Sequence, residues 1–237
     1  MTLLIAAALV FLALHLLIAG TRVRDAIVAA IGERAYLGLF SLASIGAIIW
    51  LAMSYRAALV SSSNVQLFDL GDGVDKLAIP VVLVAFLIGV PGLLMANPTS
   101  VGQSGAAAKE ETVRGVLRIT RHPFLWGVAI WSAFHFCATG DYASVVLFGT
   151  LCVLSLLGTA SIDAKRQRKL GEQWSAFAQR TSNLPFAAIA AGRNSFQARE
   201  YFDWRFLVAL ALFLVVLFAH ARIIGVSPFP GGWRPLN

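Results

Sequence analysis

Three histidines lie inside long apolar stretches of this sequence: His15, His135 and His220. A fourth, His122, opens the stretch that contains His135. An ionisable side chain among apolar residues is costly to bury, so each of these histidines points to a functional site. Neutral imidazole is a common ligand of haem iron, and two histidines facing each other across a helical bundle supply both axial ligands. The alternative for each one alone is a single hydrogen bond to a neighbouring helix.

The step Arg121-His122-Pro123 has a chemistry of its own. Proline is favoured in the first turn of a helix, so Arg121 and His122 are expected at a helix start. There they can hold an anionic group such as a haem propionate, a phosphate or a carboxylate. The alternative is a basic anchor at the membrane surface. The sequence contains no CxxC, CxxCH, P-loop, GxGxxG or HExxH motif, which argues against the sites that these motifs form.

Membrane-spanning helices are predicted to position these residues. Hydrophobic residues make up 58% of the 237 residues and charged residues only 13%, whereas soluble domains carry about 25% charged residues. Six stretches approach the ~20 residues that cross a bilayer as helix: Thr2–Gly20, Tyr36–Met53, Leu77–Ala96, Pro123–Gly140, Tyr142–Ile162 and Phe206–Ile224. Only Gly140-Asp141 separates the fourth from the fifth, which predicts a tight helical hairpin. The predicted fold is all-α, a polytopic membrane bundle of about six transmembrane helices with short interfacial helices.

The lysines and arginines are distributed unequally among the connecting segments. Of the 19, all but Arg56, Lys76, Arg222 and Arg234 follow the first span, precede the fourth or follow the fifth. By the positive-inside rule these basic loops lie in the cytoplasm and both termini lie outside, as expected for a multi-pass protein of a bacterial inner membrane. The net charge of +7 is mostly this bias. The predicted partner is therefore the lipid bilayer, and nucleic acid is not expected.

Depth in the membrane limits which histidines can meet. At the helical rise, His15 lies roughly 7 Å above the cytoplasmic end of its span, and His135 lies roughly 20 Å above His122. His135 and His220 both lie near the outer end. Because tilt changes these depths, the pair that binds a ligand stays open at this point.

Three segments outside the spans are also interpretable. The segment Thr21–Ala35 alternates charged and apolar residues and is predicted to form a short interfacial helix. The segment Asp163–Arg180 is basic at first and then places Trp174 and Phe177 on one apolar face, which predicts a helix resting on the bilayer surface. The segment Asn97–Glu111 is small and polar and is predicted to be a flexible loop.

Several ordered motifs resemble the NnrU family of membrane proteins, which is associated with nitrite and nitric-oxide reduction. The matching pieces are His15–Gly20, Gly32–Tyr36, Leu39–Ser41, Arg114–Pro123, Trp126-Gly127, His135, Gly158–Arg166 and Gly171–Trp174. The resemblance divides the chain into an NnrU-like transmembrane domain, 1–190, and a C-terminal extension, 191–237, with one further transmembrane helix.

That family is similar to the 15-cis-zeta-carotene isomerases, which hold haem b between membrane histidines. The resemblance implies haem b as the cofactor, His15 and His135 as its iron ligands, and His122 and Arg121 nearby. It implies either cis–trans isomerisation of a hydrophobic polyene or a supporting haem function in nitrite or nitric-oxide metabolism. No catalytic residue is assigned.

A fainter likeness points to another chemistry. Arg121-His122-Pro123 followed by Gly171–Trp174 resembles the isoprenylcysteine and phospholipid methyltransferases, in which a His-Pro step and an acidic pair bind S-adenosylmethionine. This sequence has Ile162-Asp163-Ala164 where the acidic pair is expected, so one carboxylate is missing. Methyl transfer is the alternative function.

Overall fold

The regular elements of residues 1–229 are helices, which confirms the all-α prediction. The structure is a computed structural model that describes these residues, with only the backbone at Asp72, Ser104, Ala108 and Glu110. The helices are α1 (Thr2–Leu12, continued by a π-helical segment, Ala13–Ile18), α2 (Arg22–Ile31), α3 (Glu33–Leu59), α4 (Asp72–Asp75), α5 (Ala78–Leu93), α6 (Val116–Ile119), α7 (Pro123–Thr139), α8 (Tyr142–Leu170), α9 (Glu172–Arg180), α10 (Ala187–Ala190), α11 (Ala198–Tyr201) and α12 (Trp204–Ile224).

Four helices in the described part are long and apolar enough to cross a membrane: α3, α8, α12 and the run Gly73–Leu93 that contains α5. The first helix up to Ile18 and α2 form a pair bent by 78°, which adds a fifth crossing if the pair is one span. Helix α7 has 17 residues, at the lower limit of the ~17–25 that cross a bilayer. These helices fit a multi-pass membrane protein, but the predicted count of about six spans is not confirmed.

The long helices neighbour one another in the order α3, α1, α8, α7, α5 and α12. Helix α7 packs against α8 on one side and α5 on the other, while α12 packs mainly against α5. Helix α1 packs mainly against α3 and α8. As a result, α8 lies between the helix that carries His15 and the helix that carries His135.

Helices α5 and α7 approach each other closely at small residues. A Cβ atom added to Gly127 would lie 2.7 Å from the carbonyl oxygen of Ala85 and 2.7 Å from the Cα of Gly89. Ala85 and Gly89 are four residues apart, the spacing that lets membrane helices pack with their backbones close. This contact fixes the position of α7, on which two of the four histidines depend.

The predicted hairpin between α7 and α8 is confirmed. Gly140 ends α7 with a positive φ of 63°, a conformation that favours glycine. Asp141 then caps α8, because its carboxylate accepts a hydrogen bond from the Ser144 amide at 3.1 Å. A two-residue connection therefore holds the two helices antiparallel.

The structure of the segments outside the long helices agrees only in part with the predictions from the sequence. The predicted short helix after the first span is confirmed as α2, and the segment before α6 is a loop with two short 3-10 turns, 104–108 and 110–112. The prediction of one amphipathic surface helix over Asp163–Arg180 is wrong in two respects. The segment is divided at Gly171 between the end of α8 and α9. Trp174 and Phe177 of α9 are buried against Ala107 and Val113, so this apolar face packs on the protein instead of the bilayer.

Candidate functional site

An apolar cavity of about 350 Å³ lies between α7 and α12, over α5. Aromatic side chains form much of its wall, and its imidazole groups come from His135 and His220. Small-molecule sites are typically clefts of a few hundred Å³ lined by apolar and aromatic groups with a few polar ones. The cavity therefore has the composition of a site for a large hydrophobic ligand.

His135 is held in this cavity by its own helix. Its Nδ1 lies 2.8 Å from the carbonyl oxygen of Trp131, one turn earlier in α7. Its ring packs 5.0 Å from the ring of Phe148 and 4.7 Å from that of Trp131, measured between centroids. Because Nδ1 donates to a backbone oxygen, the lone pair of neutral His135 is on Nε2, the arrangement typical of a metal-ligating histidine.

His220 lies on the α12 wall of the cavity and also has its Nδ1 against a backbone carbonyl oxygen. Its Nδ1 lies 2.7 Å from the carbonyl oxygen of Val226, just beyond the end of α12. Phe213, Leu217, His220 and Ile224 all line the cavity, and their spacing of three to four residues places them on one helix face. His220 and His135 therefore line the same cavity, each with its Nδ1 against a backbone carbonyl oxygen.

His15 lies elsewhere in the bundle. It is in the π-helical segment, with Nδ1 2.8 Å from the carbonyl oxygen of Phe11. Its ring is 4.5 Å from that of Phe11 and 5.4 Å from that of Phe40 on α3, between centroids. His15 is not one of the described residues that line the α7/α12 cavity. The structure thus brings together His135 and His220, and α8 separates them from His15.

A second polar cluster lies at the start of α7 and consists of Arg121, His122 and Asp163. Arg121 Nε lies 3.0 Å from each carboxylate oxygen of Asp163, and Arg121 Nη2 also contacts Asp163. His122 Nε2 lies 2.6 Å from Asp163 Oδ1. The Arg121 guanidinium also stands 5.8 Å from the centre of the Trp174 ring. The anionic partner that the sequence predicted for Arg121 and His122 is therefore present within the chain itself, as Asp163.

The His122 side chain is completely buried. This burial lowers the pKa of His122 below its ordinary value of 6.5, although Asp163 acts in the opposite direction. At neutral pH, His122 is therefore a neutral imidazole that donates from Nε2 to the carboxylate. Its buried Nδ1 accepts no hydrogen bond from the described residues.

The two sites occupy opposite ends of α7. His122 precedes the helix and His135 lies 13 residues later, which is roughly 20 Å along the helix axis. Among the described side chains, no group of three or more His, Cys, Asp or Glu residues is arranged to hold a metal ion. A haem, in contrast, needs only one or two axial ligands from the protein, and His135 and His220 have the donor atoms for that.

Comparisons with known proteins identify relatives. A sequence model of the family described as NnrU protein matches residues 3–228. The match runs past residue 190 and includes α12. The 15-cis-zeta-carotene isomerase of Arabidopsis thaliana chloroplasts is 31% identical over 116 residues, which are 48% of this chain and 32% of that protein. The Zea mays enzyme of the same name is 33% identical over 109 residues, which are 45% of this chain and 30% of that protein.

The chain therefore spans about a third of the length of these curated relatives. No solved structure matches it. The family match, in contrast, covers nearly all of the sequence, including all four histidines. The chain belongs to the NnrU family.

Proposed function

We propose that this protein is a membrane-embedded cis–trans isomerase of a hydrophobic polyene, with haem b held in the α7/α12 cavity. The observation that carries the proposal is that two histidines line one aromatic cavity, each with its Nδ1 against a backbone carbonyl oxygen. The similarity to 15-cis-zeta-carotene isomerases supports a substrate of the zeta-carotene class.

The side chains of the cavity have separate tasks in this proposal. Trp131, Phe134 and Phe148 provide flat apolar surfaces against which a conjugated chain packs, and they exclude water from it. His135 and His220 would hold the iron of a bound haem. With one of these two ligands displaced, the iron would supply a centre that interacts with a conjugated double bond and lowers the barrier to its rotation. Because cis–trans isomerisation neither adds nor removes atoms, the cavity needs no proton donor or acceptor.

The iron ligands in this proposal differ from the pair that the resemblance implies. The resemblance to the isomerases implies His15 and His135, whereas the cavity supports His135 with His220. His15 has the same Nδ1 contact with a backbone oxygen, so it is a matched control that differs mainly in location.

Absorbance of the purified protein tests the haem proposal. Protein produced with ample haem is expected to show a Soret band, which His135→Ala and His220→Ala abolish or shift and His15→Ala leaves unchanged. Absence of any band in the wild-type protein would refute haem binding. Loss of the band in His15→Ala with retention in His220→Ala would instead support the pair implied by the resemblance.

Activity is tested separately with the substrate. Detergent-solubilised 15-cis-zeta-carotene is supplied to haem-loaded protein, and the isomers are separated by chromatography. Conversion that disappears in His135→Ala supports the isomerase. A normal Soret band without conversion would favour a supporting haem function in nitrite or nitric-oxide metabolism. The methyltransferase alternative is not supported by the relatives reported above, and its one remaining carboxylate, Asp163, is already occupied by Arg121 and His122.

We also infer that the end of the bundle bearing Arg121 and Asp163 faces the cytoplasm of a bacterial cell and that both termini lie outside. Support comes from the clustering of basic residues there: Lys165 Nζ lies 3.3 Å from the carbonyl oxygen of Ala19, and Arg166 Nη2 lies 2.7 Å from that of Ser100. The positive-inside rule then sets the orientation. Alkaline phosphatase fused to either terminus is expected to be active, and cytoplasmic retention of either fusion would contradict this topology.

A further inference from the structure

A small pocket of about 150 Å³ lies at the basic end of the bundle, and its lining does not include Arg121, His122 or Asp163. It is formed where the end of α5, the start of α6, α11 and the start of α12 meet. Its charged lining consists of Arg114, Arg199, Arg205, Glu200 and Asp203. Nothing in the proposed isomerase uses this pocket.

Both carboxylates of the pocket already have partners. Glu200 accepts two hydrogen bonds from Arg118, at 2.7 and 2.9 Å, and a third from the Gly115 amide at 3.0 Å. Asp203 caps α12 by accepting from the Arg205 amide at 2.8 Å, and it also pairs with the Arg205 guanidinium. The closest cationic partner of each acid is therefore Arg118 for Glu200 and Arg205 for Asp203.

Arg114 and Arg199 are the two arginines of the lining that form no close ion pair among the described side chains. Both are exposed, and neither has a carboxylate within ion-pair distance among the described side chains. The pocket therefore presents two guanidinium groups without a close ion pair, beside two acids that already form ion pairs with Arg118 and Arg205. Guanidinium groups bind phosphate through parallel, charge-assisted hydrogen bonds.

The surroundings of the pocket favour a lipid headgroup over a free phosphate ion as its ligand. Pro91, Met95 and Val116 give the pocket an apolar side. Next to it, Trp204 and Leu207 at the start of α12 are 55% and 63% exposed, as expected for an aromatic belt residue and a lipid-facing residue. Basic pockets at the end of membrane helices are typical sites for anionic lipid headgroups.

We propose that this pocket binds the phosphate of an anionic phospholipid, with Arg114 and Arg199 as the phosphate ligands. The glycerol backbone lies against the apolar side of the pocket, and the acyl chains run along the exposed face of α12. Arg205 is a positioning residue, since its Nε donates to the carbonyl oxygen of Leu94 at 3.1 Å and its guanidinium lies 4.9 Å from the Trp204 ring centre.

Calorimetric titration of the full chain in an uncharged detergent tests the proposal. The probes are short-chain phosphatidylglycerol, short-chain phosphatidylcholine, glycerol 3-phosphate and inorganic phosphate. We expect saturable binding of phosphatidylglycerol and much weaker binding of the other three. Binding of inorganic phosphate as tight as that of phosphatidylglycerol would overturn the lipid assignment, as would equal binding of phosphatidylcholine.

A double variant locates the site. Arg114→Gln with Arg199→Gln is expected to weaken phosphatidylglycerol binding about tenfold or more, the usual effect of losing a charge-assisted hydrogen bond. The matched control is Arg22→Gln with Arg168→Gln, two exposed arginines of the same basic end that are outside the pocket. If the control weakens binding equally, the effect is general surface charge and the pocket is not the site. Because all four residues are exposed, thermal midpoints of both variants should match that of the wild type.

Discussion

His122 and Asp163, 41 residues apart in the sequence, are joined by a 2.6 Å contact between Nε2 and Oδ1. This contact ties the start of α7 to the polar end of α8, and Arg121 binds the same carboxylate from the other side. One acid thus neutralises the arginine and orients the neutral histidine. The arrangement has consequences for stability that are separate from any cofactor.

Asp163→Asn is expected to lower the free energy of unfolding by about 2–3 kcal/mol, because it leaves a half-buried Arg121 without its counter-ion. Thermal or chemical unfolding in detergent measures the change. The control is Glu33→Gln, which removes the ion pairs of Glu33 with Arg24 and Lys169. The Glu33 carboxylate is 51% exposed, so the change should cost less than about 1 kcal/mol. If both variants lose the same free energy of unfolding, the Asp163 contacts stabilise the protein no more than exposed ion pairs do.

Stability should fall as the pH is lowered through the ordinary pKa of histidine. Burial holds the pKa of His122 below 6.5 in the folded protein. In the unfolded chain His122 takes up a proton near pH 6.5, whereas the folded state resists protonation until lower pH, so acid favours unfolding in this window. The slope attributable to His122 is at most about 1.4 kcal/mol per pH unit.

Thermal midpoints measured from about pH 7.5 to about pH 5.5, the range in which histidine titrates, check this expectation. His122→Gln keeps an amide that can donate to Asp163 but removes the titration. The variant should therefore show a flatter profile than the wild type. Parallel profiles would assign the pH dependence to other groups.

Gly127→Ala should destabilise the bundle by about 1–3 kcal/mol, the usual cost of overpacking. The added methyl group would collide with the backbone of α5 at Ala85 and Gly89, and backbone atoms cannot rotate away. Gly46→Ala on α3 is the control, because a Cβ there meets no atom within 4 Å. A Gly127→Ala protein as stable as the control would mean that α5 and α7 are not in close contact.

Phe177→Ala should cost about 3–5 kcal/mol, as for other buried phenylalanines. Phe177 is 2% exposed and packs with Trp174 against Ala107 and Val113. Phe124→Ala is the control, since Phe124 is 43% exposed on α7. If α9 rested on the bilayer instead, the two variants would lose similar amounts of stability in detergent.

The apolar runs and the basic loops of the sequence were sufficient to predict helices at the right places, the α7–α8 hairpin at Gly140-Asp141 and the helix start at Pro123. The neighbours of each helix around the bundle were not predictable, because helix depth is encoded by position in the span but lateral order is not. His135 and His220 were correctly placed at a common depth, yet only the packing of α12 on α5 shows that they share a cavity. The contacts of Asp163 with Arg121 and His122 were not predicted for the same reason. An arginine and a histidine before a helix are equally typical of residues that bind an external anion.

The position of α12 has one more consequence. One face of this helix, with Phe213 and His220, forms a wall of the cavity, while Leu207 and Val215 on its other faces are exposed. On that side the cavity wall is a single helix thick, with hydrocarbon immediately beyond it. A water-insoluble molecule that reaches the two histidines by displacing α12 sideways would therefore travel from the bilayer to its binding position without crossing an aqueous phase.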